Sequence, residues 1–320
     1  MNNNLKCEPF LLTPAGKDYL WGGSRLKERY NKDLDMSPLA ETWECSTHPD
    51  GLSIIASGQN KGRTLAEVLS ENPGWIGAQP NLAGTLPILI KYIDAKSDLS
   101  VQVHPDDEYA LKHEKQLGKT EMWYVVEAKP GAKLVYGFKD DITADKLREY
   151  IKDQTLMEHL NTVPVKSGDF FFIEPGTVHA IGAGALIAEI QQNSNVTYRL
   201  YDYGRKDKSG NLRPLHIDKA VQVLKYQKCE SVSQQKLPGA GRQLLCSCKY
   251  FKVEHLIIVG SVEFEVDKRS FAVFMLLDGA VNLSCGGSEL KMIKGNTAFV
   301  PAASGKLTLR GNGDMLLVQC

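Results

Sequence analysis

Gln102, His104, Glu121 and His179 are the residues of this 320-residue chain whose types and spacing could act together on one ion. The stretch Leu99-Ser-Val-Gln-Val-His-Pro105 alternates apolar and polar residues, which predicts a strand. Side chains two apart share a face, so Gln102 and His104 project together, opposite Val101 and Val103. A carboxylate, Glu121, follows in Gly118-Lys-Thr-Glu-Met-Trp-Tyr124, and a second imidazole arrives in Pro175-Gly-Thr-Val-His179. Nitrogen and oxygen donors converging on one point suit zinc, with a position left for water or substrate. Each residue taken alone reads better as an ordinary strand-end polar group, and glutamine is an uncommon zinc ligand. The spacing by itself leaves both readings open.

The elements that must position these residues follow from local patterns. Pro105 ends the strand, and Asp106-Asp107-Glu108 starts a helix expected to run to about Leu117, returning the chain near its origin. Met122–Ala128 and Ala132–Gly137, joined by Lys129-Pro-Gly131, read as a hairpin. Thr64–Asn72 and parts of Asp140–Leu160 read as helices capped by Thr64 and Thr143. Leu86–Asp94 reads as a buried strand interrupted by Lys91, which either snorkels to a surface or faces a polar pocket. Short strands then recur with Gly/Pro turns through residue 203. This grammar indicates a mainly β chain built as an antiparallel sandwich or barrel.

A repeat divides the chain. Val165–His179 and Met292–Ser304 both run Lys, Gly, a polar residue, an apolar strand, Pro and a small-residue turn. Met122–Gly137 similarly resembles Phe271–Gly286. The later copy has no counterpart of His179 or of the Gln-x-His pair. The polar, turn-rich stretch Lys225–Gly241 is the linker expected between two jelly-roll units. The expected domains are a metal-binding unit with helical insertions over 1–235 and a smaller β unit without metal ligands over 236–320.

Composition limits the rest. A formal net charge of zero argues against nucleic acid as a partner, while leaving room for a local basic pocket. Seven scattered cysteines form no C-x-x-C pair, and Cys246-Ser-Cys248 reads as two strand residues on one face. This is the pattern of a reduced, cytoplasmic protein. The opening MNNNLKCEPF has no signal-peptide core, and runs such as Phe271–Leu277 are too short to cross a membrane.

The strand–Gly–strand–Pro–Gly–turn–His pattern resembles a cupin. Most of residues 9–220 resembles more closely the type I mannose-6-phosphate isomerases in their short bacterial form. The resemblance rests on Asp18-Tyr-Leu-Trp-Gly-Gly23, Ala40-Glu-Thr-Trp-Glu44, Pro87–Ala95, Leu99–Tyr109, Gly118–Tyr124, Pro175–Ile181, Ala188-Glu-Ile-Gln-Gln192 and Thr197-Tyr-Arg-Leu-Tyr-Asp202. It implies two cupin-type jelly rolls and one Zn2+ per chain, bound by Gln102, His104, Glu121 and His179. It also implies reversible conversion of mannose 6-phosphate to fructose 6-phosphate. By position Arg199 matches the family's active-site arginine, and Glu189 matches a carboxylate of the same pocket. One departure stands out: the family usually carries Asp where this chain has Asn195. An amide cannot serve as a base.

Aldose–ketose isomerisation moves a proton between C2 and C1 through an enediol. It needs an electrophile at the carbonyl and a base near the carbons. Arg199, permanently charged, suits the developing enediolate. Glu189 is the expected base, with Asp202 second; the alternative for Glu189 is a buried ion pair with Arg199. Lys91, Ser100 and then Lys119 are the expected anchors for the phosphate of a small-molecule sugar phosphate, with Trp21 and Trp43 as walls. The competing readings are another metal-dependent cupin isomerase, an oxygenase, or a sugar-phosphate-binding protein without turnover. The sequence leaves monomer and homodimer open.

Overall fold

A computed structural model describes residues 8–78, 85–207, 209–229 and 239–320. Part of the expected linker, residues 230–238, lies outside them. Among the described residues the chain is mainly β, with antiparallel strands in three sheets. A six-stranded sheet runs in the order Phe170–Ile173, Glu121–Ala128, Ala185–Gln192, Ile88–Asp94, Glu41–Cys45, Ala15–Lys17. A five-stranded sheet runs Tyr198–Tyr201, Val101–Val103, His179–Ile181, Lys133–Phe138, Leu160–Pro164. The two face each other, and Ile93, Trp123, Val125, Leu134, Phe171, Ile181 and Ile187 fill the space between them. This is the first jelly roll.

Both sheets are buried on their outer faces too. The short helices Ala144–Lys152 and Ile217–Val223 cover the outside of the five-stranded sheet, where Leu147 and Ala220 pack on Val101, Val103 and Leu200. The outside of the six-stranded sheet, through Ile88, Ile90, Tyr92, Met122 and Ala188, packs on Phe271, Val273, Phe299 and Leu316 of the third sheet. Two-sided burial explains why Ile88–Asp94 reads as a continuous apolar run: every residue in it is buried, Lys91 included.

The third sheet has eight strands and carries the second jelly roll, around an apolar interior of Leu256, Phe274, Leu276, Leu309 and Met315. It also recruits the start of the chain. Phe10–Leu12 pair with Thr297–Phe299, and Leu12–Thr13 pair with Ile54–Ile55. The repeat is matched in pairing: Phe170–Ile173 lie on Glu121–Tyr124, as Thr297–Val300 lie on Ala272–Met275.

Two local expectations are corrected. Glu121–Ala128 and Lys133–Phe138 are not a hairpin; they belong to different sheets, and the turn at Lys129–Gly131 arches across the sandwich. Val125 and Leu134 therefore meet face to face in the core. The helix after His104 spans only Asp107–His113, capped by Asp106, whose Oδ1 accepts from Tyr109 N at 2.9 Å. Lys115 turns left-handed at φ 56° and ends the helical path before Leu117. No helix among the described residues is long and apolar enough to cross a membrane.

Candidate metal centre and active site

Two rows of side chains face each other across the first sandwich. Register sets both. On the five-stranded sheet His179 lies opposite Gln102, and Gln102 opposite Arg199. On the six-stranded sheet Trp123 lies opposite Glu189, Glu189 opposite Lys91, and Lys91 opposite Trp43. Alternation turns Val101, Val103, Tyr198 and Leu200 outward to the helices, so Gln102 and Arg199 must turn inward.

At one end of these rows His104, Glu121 and His179 converge, all fully buried or nearly so. Their donor atoms are closely spaced. His104 Nε2 is 3.1 Å from His179 Nε2 and 3.3 Å from Glu121 Oε1, and His179 Nε2 is 3.7 Å from Glu121 Oε2. Donors about 2.0–2.1 Å from a tetrahedral ion stand about 3.3 Å from one another. Each imidazole is oriented by its other nitrogen: Nδ1 of His104 donates to Val196 O at 2.9 Å and Nδ1 of His179 to Thr177 O at 2.8 Å. That leaves both Nε2 lone pairs aimed inward, the arrangement typical of metal-binding histidines. Glu121 Oε2 is buried and accepts no hydrogen bond. Three acceptors around one point, one of them unsatisfied, fit a divalent cation. Gln102, on the strand leading to His104, accepts from Ser100 Oγ at 3.4 Å and lines the adjoining cavity.

The positive charge these acceptors meet here is Lys119. Its Nζ is 3.1 Å from His104 Nε2 and contacts Glu121 Oε1 directly. Burial, and then Lys119, push the His104 imidazole down to about 4. Burial also lowers His179. Burial alone would raise the Glu121 carboxyl, but Lys119 and the imidazoles outweigh it and hold it well below the usual carboxylate range. Both imidazoles are thus neutral and the carboxylate ionised at neutral pH, as metal ligation requires.

The adjoining cavity has a volume of about 290 Å³. It gathers Lys91, Ser100, Gln102, Lys119, Glu189 and Arg199 from the sequence-based set, with Trp21 on its wall. Glu189 is paired with Lys91, not Arg199: Lys91 Nζ is 3.0 Å from Glu189 Oε2, and Trp123 Nε1 donates to Oε1 at 2.9 Å. Lys91 therefore faces the pocket. Burial alone would lower its ammonium, but Glu189, Glu41 and Glu121 outweigh it and raise it. Trp43 bonds Glu41 instead of lining the cavity, at 2.8 Å. Asp202 is held by Arg205 and Arg213 and does not line the cavity.

Sequence reasoning missed Arg213, which also lines this space. It sits in a polar turn region whose lack of periodicity gives no facing for a side chain. Arg199 donates from Nη1 to Pro214 O at 2.9 Å, while its buried Nε has no partner. Burial, then Arg213, push the Arg199 guanidinium below its ordinary value. The two guanidiniums repel, and an anion between them would relieve that. Asn195 lines the same space, its Nδ2 donating to Asp50 Oδ2 at 3.0 Å.

Residues 10–130 match the family model for the phosphomannose isomerase type I catalytic domain, and residues 242–320 match that for the mannose-6-phosphate isomerase cupin domain. A mannose-6-phosphate isomerase of Streptococcus mutans is 37% identical over 92% of each chain. One of Bacillus subtilis is 36% identical over 97% of this chain and 98% of its own. A crystal structure of the Bacillus subtilis mannose 6-phosphate isomerase superposes with a TM-score of 0.89 at 33% identity, covering 97% of this chain and 99% of that one. A zinc-bound mannose 6-phosphate isomerase shares the fold at a TM-score of 0.78 and 16% identity, covering 97% and 98%. With its two cupin units, its buried donor cluster and relatives matched over nearly their full length, this chain belongs to the type I mannose-6-phosphate isomerase family and is an isomerase.

Proposed function

We propose that the protein interconverts mannose 6-phosphate and fructose 6-phosphate and uses zinc, held by Gln102, His104, Glu121 and His179. The observation that carries this reading is the union of three inward-facing, cation-demanding acceptors with a cationic cavity that also holds a buried carboxylate. Bound zinc would polarise the sugar oxygens or order water that does so.

The chain's own residues supply the rest. Glu189 takes the proton from C2 of the open-chain aldose; the C–H electron pair becomes the C1–C2 double bond, and the carbonyl pair moves onto O1. Returning that proton to C1, with the O2 proton passing to O1, gives the ketose and restores the Glu189 carboxylate. Lys91 holds Glu189 in place across the strand ladder. Arg199 stabilises the enediolate oxygens. Lys91 and Lys119, the expected phosphate anchors, are tied to Glu189 and to the metal-site donors, so Ser100 and Arg213, whose partner Asp202 is shared with Arg205, are left to meet the phosphate. Remote phosphate binding holds C1 and C2 against the base.

Turnover of mannose 6-phosphate, with no turnover of mannose, tests the substrate. Arg199→Ala should retain zinc and lose roughly 10²–10³-fold in kcat, the usual cost of one donor to a developing oxyanion. An unchanged kcat removes Arg199 from the mechanism. Asn195 favours a second reading, sugar-phosphate binding without turnover, because it puts an amide where the family usually has a carboxylate. Zinc-loaded protein that binds but does not turn over mannose 6-phosphate would support it.

A further inference from the structure

The second jelly roll reaches the bonds that hold the metal loop through Tyr250, with Lys249 Nζ 3.9 Å from the same Asp107 oxygen. The loop Leu117–Thr120 carries Lys119 and leads into Glu121, and its backbone is held from two sides. Lys119 N donates to Pro105 O at 3.0 Å, and Gly118 N donates to Asp107 Oδ1 at 2.9 Å. From the other side Ser194 Oγ donates to Leu117 O at 2.8 Å, and Thr120 N donates to Gln192 Oε1 at 2.9 Å. Gln192 Nε2 in turn donates to Asp107 Oδ1 at 2.8 Å. One carboxylate, Asp107, thus ties both clamps together. Its remaining oxygen is taken by Tyr250: the phenol donates to Asp107 Oδ2 at 2.6 Å, across 143 residues of sequence. Tyr250 lies in the turn between the strands Gly241–Ser247 and Lys252–Val266 of the second unit.

We propose that the second unit positions the metal loop through this strut, with Tyr250 and Asp107 as positioning residues for Glu121 and Lys119. A hydrogen bond to a carboxylate fixes direction as well as distance, so Asp107 can present Oδ1 to Gly118 and Gln192 only in one rotamer. Losing the phenol frees that rotamer, and the clamp on Gly118 and Thr120 loosens. Gly118 leaves no slack: a Cβ there would lie 2.4 Å from the Asp106 carbonyl carbon. This gives the metal-free second unit a part in the site. The role in metal binding rests on the zinc reading above; the strut itself does not.

The test compares full-length wild type, Tyr250→Phe and Asp107→Asn, with Tyr226→Phe as a control that removes another partly buried phenol bond, to Val221 O. Amide hydrogen exchange over residues 117–121 is measured without metal, and zinc affinity by chelator competition. The expected result is about tenfold faster exchange in both test variants and zinc binding weakened by about three- to tenfold, with neither change in the control. Unchanged exchange in both variants overturns the strut. Faster exchange with unchanged zinc affinity overturns its positioning role. Faster exchange in a wild-type background that binds no zinc supports the strut and overturns the zinc reading instead.

Discussion

Two neutral imidazoles whose Nδ1 hydrogens are already given to carbonyls cannot hydrogen-bond to each other. Yet His104 Nε2 and His179 Nε2 lie 3.1 Å apart beside a carboxylate. Only a cation reconciles them, and Lys119 or a metal ion can be that cation. Replacing His179 by Ala should therefore weaken zinc binding by more than about a hundredfold, beyond what loss of an outer hydrogen bond costs. Chelator competition on the folded variant checks this; wild-type affinity would remove His179 from the site. Across the cavity, Lys91→Met strands Glu189 in a buried position. It should cost about 3–5 kcal/mol of stability, and a double variant with Glu189→Gln should recover much of it. Denaturant midpoints of the two single variants and the double variant measure the coupling, and additive losses would contradict the pair.

Elements decide which of these residues meet. Alternation in Leu99–Pro105 makes Gln102 and His104 legible as neighbours, because strand period is local information. The partner strands are not local. The sequence pattern of Lys129-Pro-Gly131 suits a hairpin and an arch equally, since a turn sets a reversal of direction but not the sheet each arm joins. Arg213 escapes for a related reason: no repeating pattern fixes its side, and irregular loop bonds, Arg213 N to Arg205 O and His216 N to Arg199 O, bring that turn to the cavity. The Asp107–His113 helix shows the same division. Its cap is readable, and its early end at His113 is not, because no local signal in the sequence marks the left-handed turn at Lys115 that follows it. Asp107 also sets a pH dependence. Burial alone would raise its carboxyl, but bonds from Tyr250, Gln192 and Gly118 outweigh it and lower it. A lowered folded value means its stabilisation is complete above the ordinary carboxylate range and is lost as pH falls through that lowered value. Asp107→Asn should flatten the acid limb of a stability–pH profile there; an unchanged limb contradicts the assignment.

At the scale of the whole molecule the two jelly rolls are interleaved. Phe10–Leu12 form a strand of the second unit's sheet, and Lys32 reaches both Glu44, at 2.7 Å, and the Gly295 carbonyl. The expected division near residue 235 marks a change in sequence character, but the apolar outer face of the six-stranded sheet has its cover on the far side of it. A fragment ending at residue 235 should expose that face and aggregate or bind a hydrophobic dye. A monodisperse fragment that binds zinc would show the first unit to be self-sufficient. Two-unit organisation is legible from the repeat, whereas the exchange of the first strand is not, because it pairs Phe10 with Phe299, near the other end of the chain.

The central claim joins a metal to a reaction. The most direct measurement is a coupled assay of mannose 6-phosphate conversion to fructose 6-phosphate, run on the protein as purified, after chelation, and after zinc is added back. Turnover that disappears on chelation and returns with zinc is the predicted result. Turnover that survives complete removal of metal, or none from folded zinc-loaded protein, would contradict it.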